Sequence, residues 1–214
     1  MAEQRGLTEI EQRQLEAGAK DLGLTLTPAQ VQLLDAYCAQ LTRWNAAFNL
    51  VAESTMPHKV PVHLLDSLAV HSYVGGGRIL DVGTGAGFPG IPLAIIFPHT
   101  EFVLLDSNGK KTRFLRQVCN VLTLDNVEVV QGRLESYKDK AVFDQIVTRA
   151  FSAVEKLLNL LASAGIQYQE LLLLKGKFPE DELAGISAVG YDVTPLHVPG
   201  VDAERHLVRI KTDT

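Results

Sequence analysis

The residues best placed to do chemistry in this chain are a run of glycines and the acids beside it. Between Arg78 and Pro92 the sequence reads RILDVGTGAGFPGIP, with Asp81 two residues before a turn built from Gly83, Gly85, Gly87 and Gly90. Apolar residues ending in a Gly-rich turn and then a helix open a doubly wound α/β sheet, whose ligand lies beyond the carboxyl ends of the strands. Glycines let such a turn bend tightly and let a ligand approach the main chain. A second acid, Asp106, closes the next apolar run, Phe102 to Leu105. There a carboxylate can accept both hydroxyls of a ribose. The implied ligand is nucleotide-like.

Spacing then separates two kinds of nucleotide site. A dinucleotide fingerprint reads G-x-G-x-x-G, and here Phe88 stands where its third glycine would be. Phosphate binding also favours bare amides or basic groups, whereas these strand ends carry Asp81 and Asp106. The D-x-G-x-G-x-G pattern resembles motif I of the class I S-adenosylmethionine methyltransferases. That resemblance implies S-adenosyl-L-methionine as cofactor, whose ammonium and sulfonium suit an acid at the strand end. Asp81, Gly83, Gly85 and Asp106 are the first candidates to hold it.

Other strand ends carry the remaining polar residues. Leu134-Glu135, in GRLESY, is either an edge for the adenine, with Leu134 packing on the ring, or an ordinary strand-to-helix turn. Arg149, in FDQIVTRAF, follows an apolar strand in the crevice where ligands sit, which surface solvation explains poorly; it is the candidate catalytic residue, touching ligand or substrate. Asp144 reads as facing solvent or capping a neighbour. Lys110, Lys111, Arg113 and Arg116 begin the helix after Asp106, forming either a solvated face or a phosphate contact. Lys175 and Lys177 add to the same crevice edge, and Arg205, His206, Arg209 and Lys211 make a third basic cluster. The candidate RNA-binding residues are Lys110, Lys111, Arg113 and Lys175. His63 and Asp66, three apart, share a helix face and either pair at the surface or border a substrate cavity. Asn45, Asn49 and His58 are open in the same way.

Absent motifs narrow the reaction. Methyltransferases acting on exocyclic amines commonly carry [DN]-P-P-[FYW] after the fourth strand, but Asp144 is followed by Gln145 and Ile146. A pyrimidine C5 methyltransferase needs a cysteine nucleophile, often after proline, and neither Cys38 nor Cys119 follows proline or a strand. What remains includes a nucleophile that needs no deprotonation, such as N7 of guanine. Such a site requires little beyond proximity, orientation and exclusion of water.

The elements that must position these residues follow from periodicity and punctuation. At 214 residues and 46% hydrophobic content the chain fits one large domain, or one with a helical extension. Residues 8–22 read as a helix. Thr27-Pro28 starts a second, in which Val31, Leu34, Cys38, Leu41, Trp44 and Phe48 recur at three- and four-residue steps. It ends near Asn45–Asn49, a polar connector bracketed by Pro57 and Pro61 follows, and Val62 to Tyr73 reads as a third helix. Gly75-Gly76-Gly77 is the best internal boundary, a flexible joint. It divides an N-terminal helical cap, 1–74, from a Rossmann-like domain, 78–214. Strands are expected at 78–82, 101–105, 127–130, 143–147 and 170–174, with helices near 90–96, 109–121, 153–162 and 180–187. Asp192–His197 and His206–Ile210 are further β-like runs, the last antiparallel. The expectation is an α/β fold, a doubly wound, mostly parallel sheet.

Composition adds limits. No apolar run approaches the ~20 residues that span a membrane, and residues 1–26 are too polar and acidic for a signal peptide. Cys38 and Cys119 read as small core residues of a reduced, cytoplasmic protein. The six histidines show no metal-ligand spacing. Net charge is −5, but Glu3, Glu9, Glu11 and Glu16 crowd the first helix, so a basic active face can coexist with it.

Taken together, NLVAES…HLLDSL, ILDVGTGAGFPGIPLAI, LLDSNGKKTRFL, GRLE and FDQIVTRAF resemble, in that order, the bacterial 16S rRNA guanine-N7 methyltransferases, the glucose-inhibited division protein B family. The likeness covers roughly residues 30–178. It implies methylation of N7 of the guanine at position 527 of 16S rRNA, in the small ribosomal subunit or an assembly intermediate. By position it also implies that Gly83, Phe88, Leu134, Glu135 and Arg149 contact S-adenosylmethionine. Two other readings stay open: a methyltransferase of the same fold acting on a small molecule or protein, and a non-catalytic S-adenosylmethionine sensor.

Overall fold

Both N-terminal helices begin at a threonine that closes a capping box. Thr8 accepts from the Glu11 amide while the Glu11 carboxylate accepts from the Thr8 amide, starting α1 (Glu9–Asp21). Thr27 and Gln30 do the same for α2 (Pro28–Phe48). Each box satisfies two amides that a helix start leaves bare. α2 stops where Asn49 takes a left-handed conformation, φ 49°, and the Asn45 carboxamide accepts from the Val51 amide at 2.9 Å. The computed structural model describes residues 6–139, 141–149, 151, 153–186 and 190–212. Glu3, Ala150 and the end of the helix expected at 180–187 lie outside them.

The segment after α2 departs from expectation. Its polar connector is a 3-10 helix, Glu53–His58, and no single α-helix runs from Val62 to Tyr73. A π-helical turn, Val60–Leu65, leads into α3 (Asp66–Leu68), and a 3-10 turn, His71–Tyr73, follows. Pro61 has no N–H to give an α-helical ladder. The Ser67 hydroxyl meanwhile donates to the His63 carbonyl at 2.6 Å, a bond that competes with the backbone and bends helices.

The sheet has seven strands: β1 (Arg78–Val82), β2 (Glu101–Asp106), β3 (Val127–Gln131), β4 (Phe143–Thr148), β5 (Tyr168–Lys175), β6 (Tyr191–Pro195) and β7 (His206–Lys211). Their spatial order is β3-β2-β1-β4-β5-β7-β6, parallel through β5, with β7 antiparallel to both its neighbours. Helices α4 (Gly90–Ile96), α5 (Gly109–Leu122), α6 (Val154–Ala164) and α7 (Glu180–Ala184) fill the connections. The doubly wound, mostly parallel α/β expectation holds, as does the antiparallel last strand.

Alternation along β1 sends its side chains to two cores. Ile79 joins the cluster built with cap residues Leu34, Tyr37 and Leu65 and with Phe102 and Leu104. Leu80 and Val82 join the opposite cluster, with Leu157 and Leu161 of α6. Asp81 therefore points to the cap side. Hydrogen bonds hold the chain on either side of Gly76 at the cap-sheet boundary. Asp144 accepts from the Arg78 amide at 2.7 Å, and Gln145 accepts from the Gly75 amide and donates to the Tyr73 carbonyl, each at 2.8 Å. Gly77, φ +94°, lies so close that a Cβ would stand 2.1 Å from Asp144 Oδ2. No helix among the described residues is long and apolar enough to cross a membrane.

Candidate active site

The Gly-rich loop leaves β1 between two anchored acids. Asp106, at the end of β2, accepts from the Gly85 amide at 2.9 Å and from the Asn108 amide at 2.8 Å. An ionised carboxylate has about four acceptor sites, so two remain for the hydroxyls of a ligand. Gly85, φ +64°, adopts a conformation that L side chains rarely take. A Cβ there would meet nothing nearer than Lys111 Nζ at 3.8 Å, so the loop leaves room against its main chain.

Asp81 is fully buried, and its Oδ2 accepts from the Gly90 amide at 2.9 Å. Gly90 is required there, because a Cβ would sit 2.3 Å from Leu104 Cδ2 and 2.7 Å from that same oxygen. Burial pushes the Asp81 carboxyl up to about 7, against the pull of the Thr84 hydroxyl, the Gly90 amide and Arg149. The carboxylate thus fastens the start of α4 under the loop, on the cap side.

Two cavities open at the carboxyl ends of the parallel strands. The first, about 340 Å³, is lined by Gly83, Asp106, Leu134 and Glu135, together with Arg133 and Lys156. Leu134 is buried and supplies an apolar wall, whereas Glu135 is exposed. The second, about 400 Å³, is lined by His63, Asp66, Arg149, Lys175 and Arg205. Phe151 borders the first and Arg149 the second, so the two cavities flank the end of β4.

In the second cavity one buried acid holds two arginines. Asp66 accepts from Arg149 Nη1 at 3.1 Å through one oxygen and from Arg205 Nε at 2.7 Å through the other. The Arg149 guanidinium also lies 5.0 Å over the Phe88 ring, a cation–π contact. Phe88 lines neither cavity. It is buried, with the His63 ring stacked against it at 4.8 Å and the Tyr37 ring tilted at 5.5 Å. The Thr55 hydroxyl donates to the Ala52 carbonyl and so accepts from His63 Nε2 at 2.9 Å. Burial, helped by Arg149, holds His63 down to about 4, leaving it neutral with an unpaired buried Nδ1.

The basic candidates divide. Lys110 and Arg113 are exposed on the first turns of α5, and Lys111 lies along the Gly-rich loop. Asn108 caps that helix, accepting from the amides of Lys110 and Lys111. Lys175 offers no free charge: its buried ammonium donates to the Phe151 carbonyl and to Glu182, each at 2.7 Å. Tyr37 was absent from the sequence-derived apolar stripe, and it clamps the loop by donating to the Ala86 carbonyl at 2.6 Å. Its position, three after Leu34 and four before Leu41, carried the signal.

An Asp-closed Gly loop on β1, a second acid on β2 and a mostly parallel seven-stranded sheet ending in an antiparallel strand define a class I methyltransferase fold. Solved structures share it at low sequence identity. The METTL16 methyltransferase domain matches with TM-score 0.61 and 15% identity, over 85% of this chain and 97% of that one. M. capricolum TrmK, solved with S-adenosyl-homocysteine, matches with TM-score 0.55 and 12% identity, over 69% and 68%. Within that class, the family model described as rRNA small subunit methyltransferase G matches residues 30–208, and the chain belongs to that family. Curated relatives of the same name are 44% identical in Pseudomonas syringae pv. syringae, over 93% of this chain and 94% of the relative, and 47% identical in Marinobacter nauticus, over 91% and 92%.

Proposed function

We propose that this chain transfers a methyl group from S-adenosylmethionine to N7 of the guanine at position 527 of 16S rRNA, within the small subunit or an assembly intermediate. The observation that carries the reading is the pair of cavities meeting at the end of β4, one beside a strand-end acid and the other walled by charged groups. Bound in the first cavity, S-adenosylmethionine supplies a methyl on a sulfonium. The residues fit it: Asp106 keeps two acceptor sites for ribose hydroxyls, Leu134 offers an apolar wall, and the loop at Gly85 leaves room.

The second cavity suits a guanine. Arg149 and Arg205 can donate to O6, and Asp66 can accept from the N–H groups of the opposite edge. N7 carries a free lone pair, so no base has to remove a proton. His63, neutral and buried, is consistent with that. The protein's task is to orient the base and exclude water. Exposed Lys110 and Arg113, with half-buried Lys111, extend the site along α5 with groups that can meet phosphates.

The test is methyl transfer from labelled S-adenosylmethionine to small subunits lacking native modification, with the base mapped by N7-sensitive strand cleavage. One labelled guanine in the decoding region supports the reading. Label on a protein or free nucleoside instead would replace it with another methyltransferase activity, and cofactor binding without any transfer would leave a sensor.

A further inference from the structure

An exposed aromatic follows the strand end that walls the second cavity and has no part in the chemistry above. Phe178 is 51% exposed, three residues past β5. Its ring meets His206 edge-on, centroids 5.6 Å apart at 84°. His206 is fixed in turn: its Nδ1 lies 2.8 Å from the Gly176 carbonyl, which can only accept, so that nitrogen carries the proton. His206 is also the register partner of Lys175 across β5 and β7. Lys175 and Gly176, three and two residues before Phe178, and Arg205, next to His206, all line the cavity. The pair is therefore continuous with the cavity wall.

We infer that Phe178, held by His206, is a stacking platform for the nucleotide flanking the target guanine, in an RNA segment that is single-stranded when bound. The inference rests on the rRNA reading of the site. Sequence-specific RNA recognition works largely on splayed, unstacked bases laid on aromatic rings. A guanine drawn into a cavity leaves its neighbour unstacked at the rim, where an aromatic face replaces the lost stack. A phenyl ring offers a phosphate no hydrogen bond or charge but stacks on any base, so the contact is to a base face rather than to the backbone.

The experiment compares F178A, F178L, F178Y and F178W in initial-rate assays against unmodified small subunits, with S-adenosylmethionine binding measured separately. F178A and F178L should raise KM about tenfold, in the range expected for one base–aromatic stack, with kcat and cofactor affinity unchanged. F178Y and F178W should behave like the starting protein. Because a stack neutralises no phosphate, the salt dependence of RNA binding should not change in slope. An F178L variant as good as Phe178, or F178A without effect, would overturn the platform. In a second arm, the F178W indole should be quenched by a single-stranded oligoribonucleotide, read over the background of the one native tryptophan, Trp44. Quenching by whole subunits but not by RNA would overturn the RNA assignment in favour of a protein contact. Quenching by RNA from a protein that methylates none would sink the methyltransfer reading and leave the platform standing.

Discussion

Replacing Asp106 by alanine tests the cofactor cavity most directly, because one side chain holds both the loop and the expected ribose. Two of its acceptor sites take the amides of Gly85 and Asn108, at 2.9 and 2.8 Å. A hydrogen bond to a charged group contributes about 1.5–3 kcal/mol. Losing two from ribose hydroxyls costs about 3 kcal/mol even at the low end. At about 1.4 kcal/mol per factor of ten, Kd for S-adenosylmethionine should rise a hundredfold or more. The fold should suffer less. Water reaching the cavity can satisfy both amides, so unfolding free energy should fall by only about 1–2 kcal/mol. Calorimetry with S-adenosylmethionine and its 2′-deoxy analogue separates loop damage from lost ribose contacts. The starting protein should bind the deoxy analogue about tenfold more weakly, while D106A should scarcely distinguish the two, the signature of coupled groups. Equal discrimination by both proteins, or D106A binding within about threefold of normal, would refute the ribose assignment.

Three further outcomes follow from the same geometry. Gly90→Ala places a Cβ 2.3 Å from Leu104 Cδ2 and 2.7 Å from Asp81 Oδ2; overpacking there should cost about 1–3 kcal/mol in denaturant unfolding, and an unshifted midpoint would contradict the packing. Neutralising Lys110 and Lys111 together as glutamines should weaken RNA binding and reduce the slope of log affinity against log salt by about 1–2; an unchanged slope removes them from the interface. Asp81, raised to about 7 by burial from an ordinary value of 3.8, binds its proton more tightly folded than unfolded. Between those two values the folded state holds the extra proton, so stability falls as pH rises toward 7. An Asp81→Asn variant, still able to accept from the Gly90 amide, should therefore gain on the starting protein from pH 4 to pH 7 and keep a constant advantage above that; melting curves with a pH-independent gap would count against the burial argument.

What the sequence made legible was local. The helix start at Thr27-Pro28, the apolar run of β1 and the glycine turn each depend on residues within a few positions, so their patterns survive in one dimension. The π-helical turn at Val60–Leu65 escaped because apolar spacing cannot distinguish it from an α-helix; only Pro61 and Ser67 hinted at it. Lys175 looked like a free cation because its partner, Glu182, sits beyond a turn whose path spacing does not reveal. Asp66 was noted with His63 as a pair on one helix face. Its actual partners, Arg149 and Arg205, are 83 and 139 residues away, beyond the reach of any periodicity.

Those long-range contacts also show what the helical cap supplies. It supplies Tyr37, which grips the loop at Ala86; His63, stacked against Phe88; and Asp66, which orients both arginines of the second cavity. None of these contacts could be made by the sheet alone, since each comes from a residue before Gly75. The cap side of β1 also receives Asp81, buried under the loop beside Gly90. The sheet therefore builds one cavity from its own strand ends, and the second exists only where the cap closes over Arg149 and Arg205. On the function proposed above, the sheet carries the donor site and the cap builds the acceptor site.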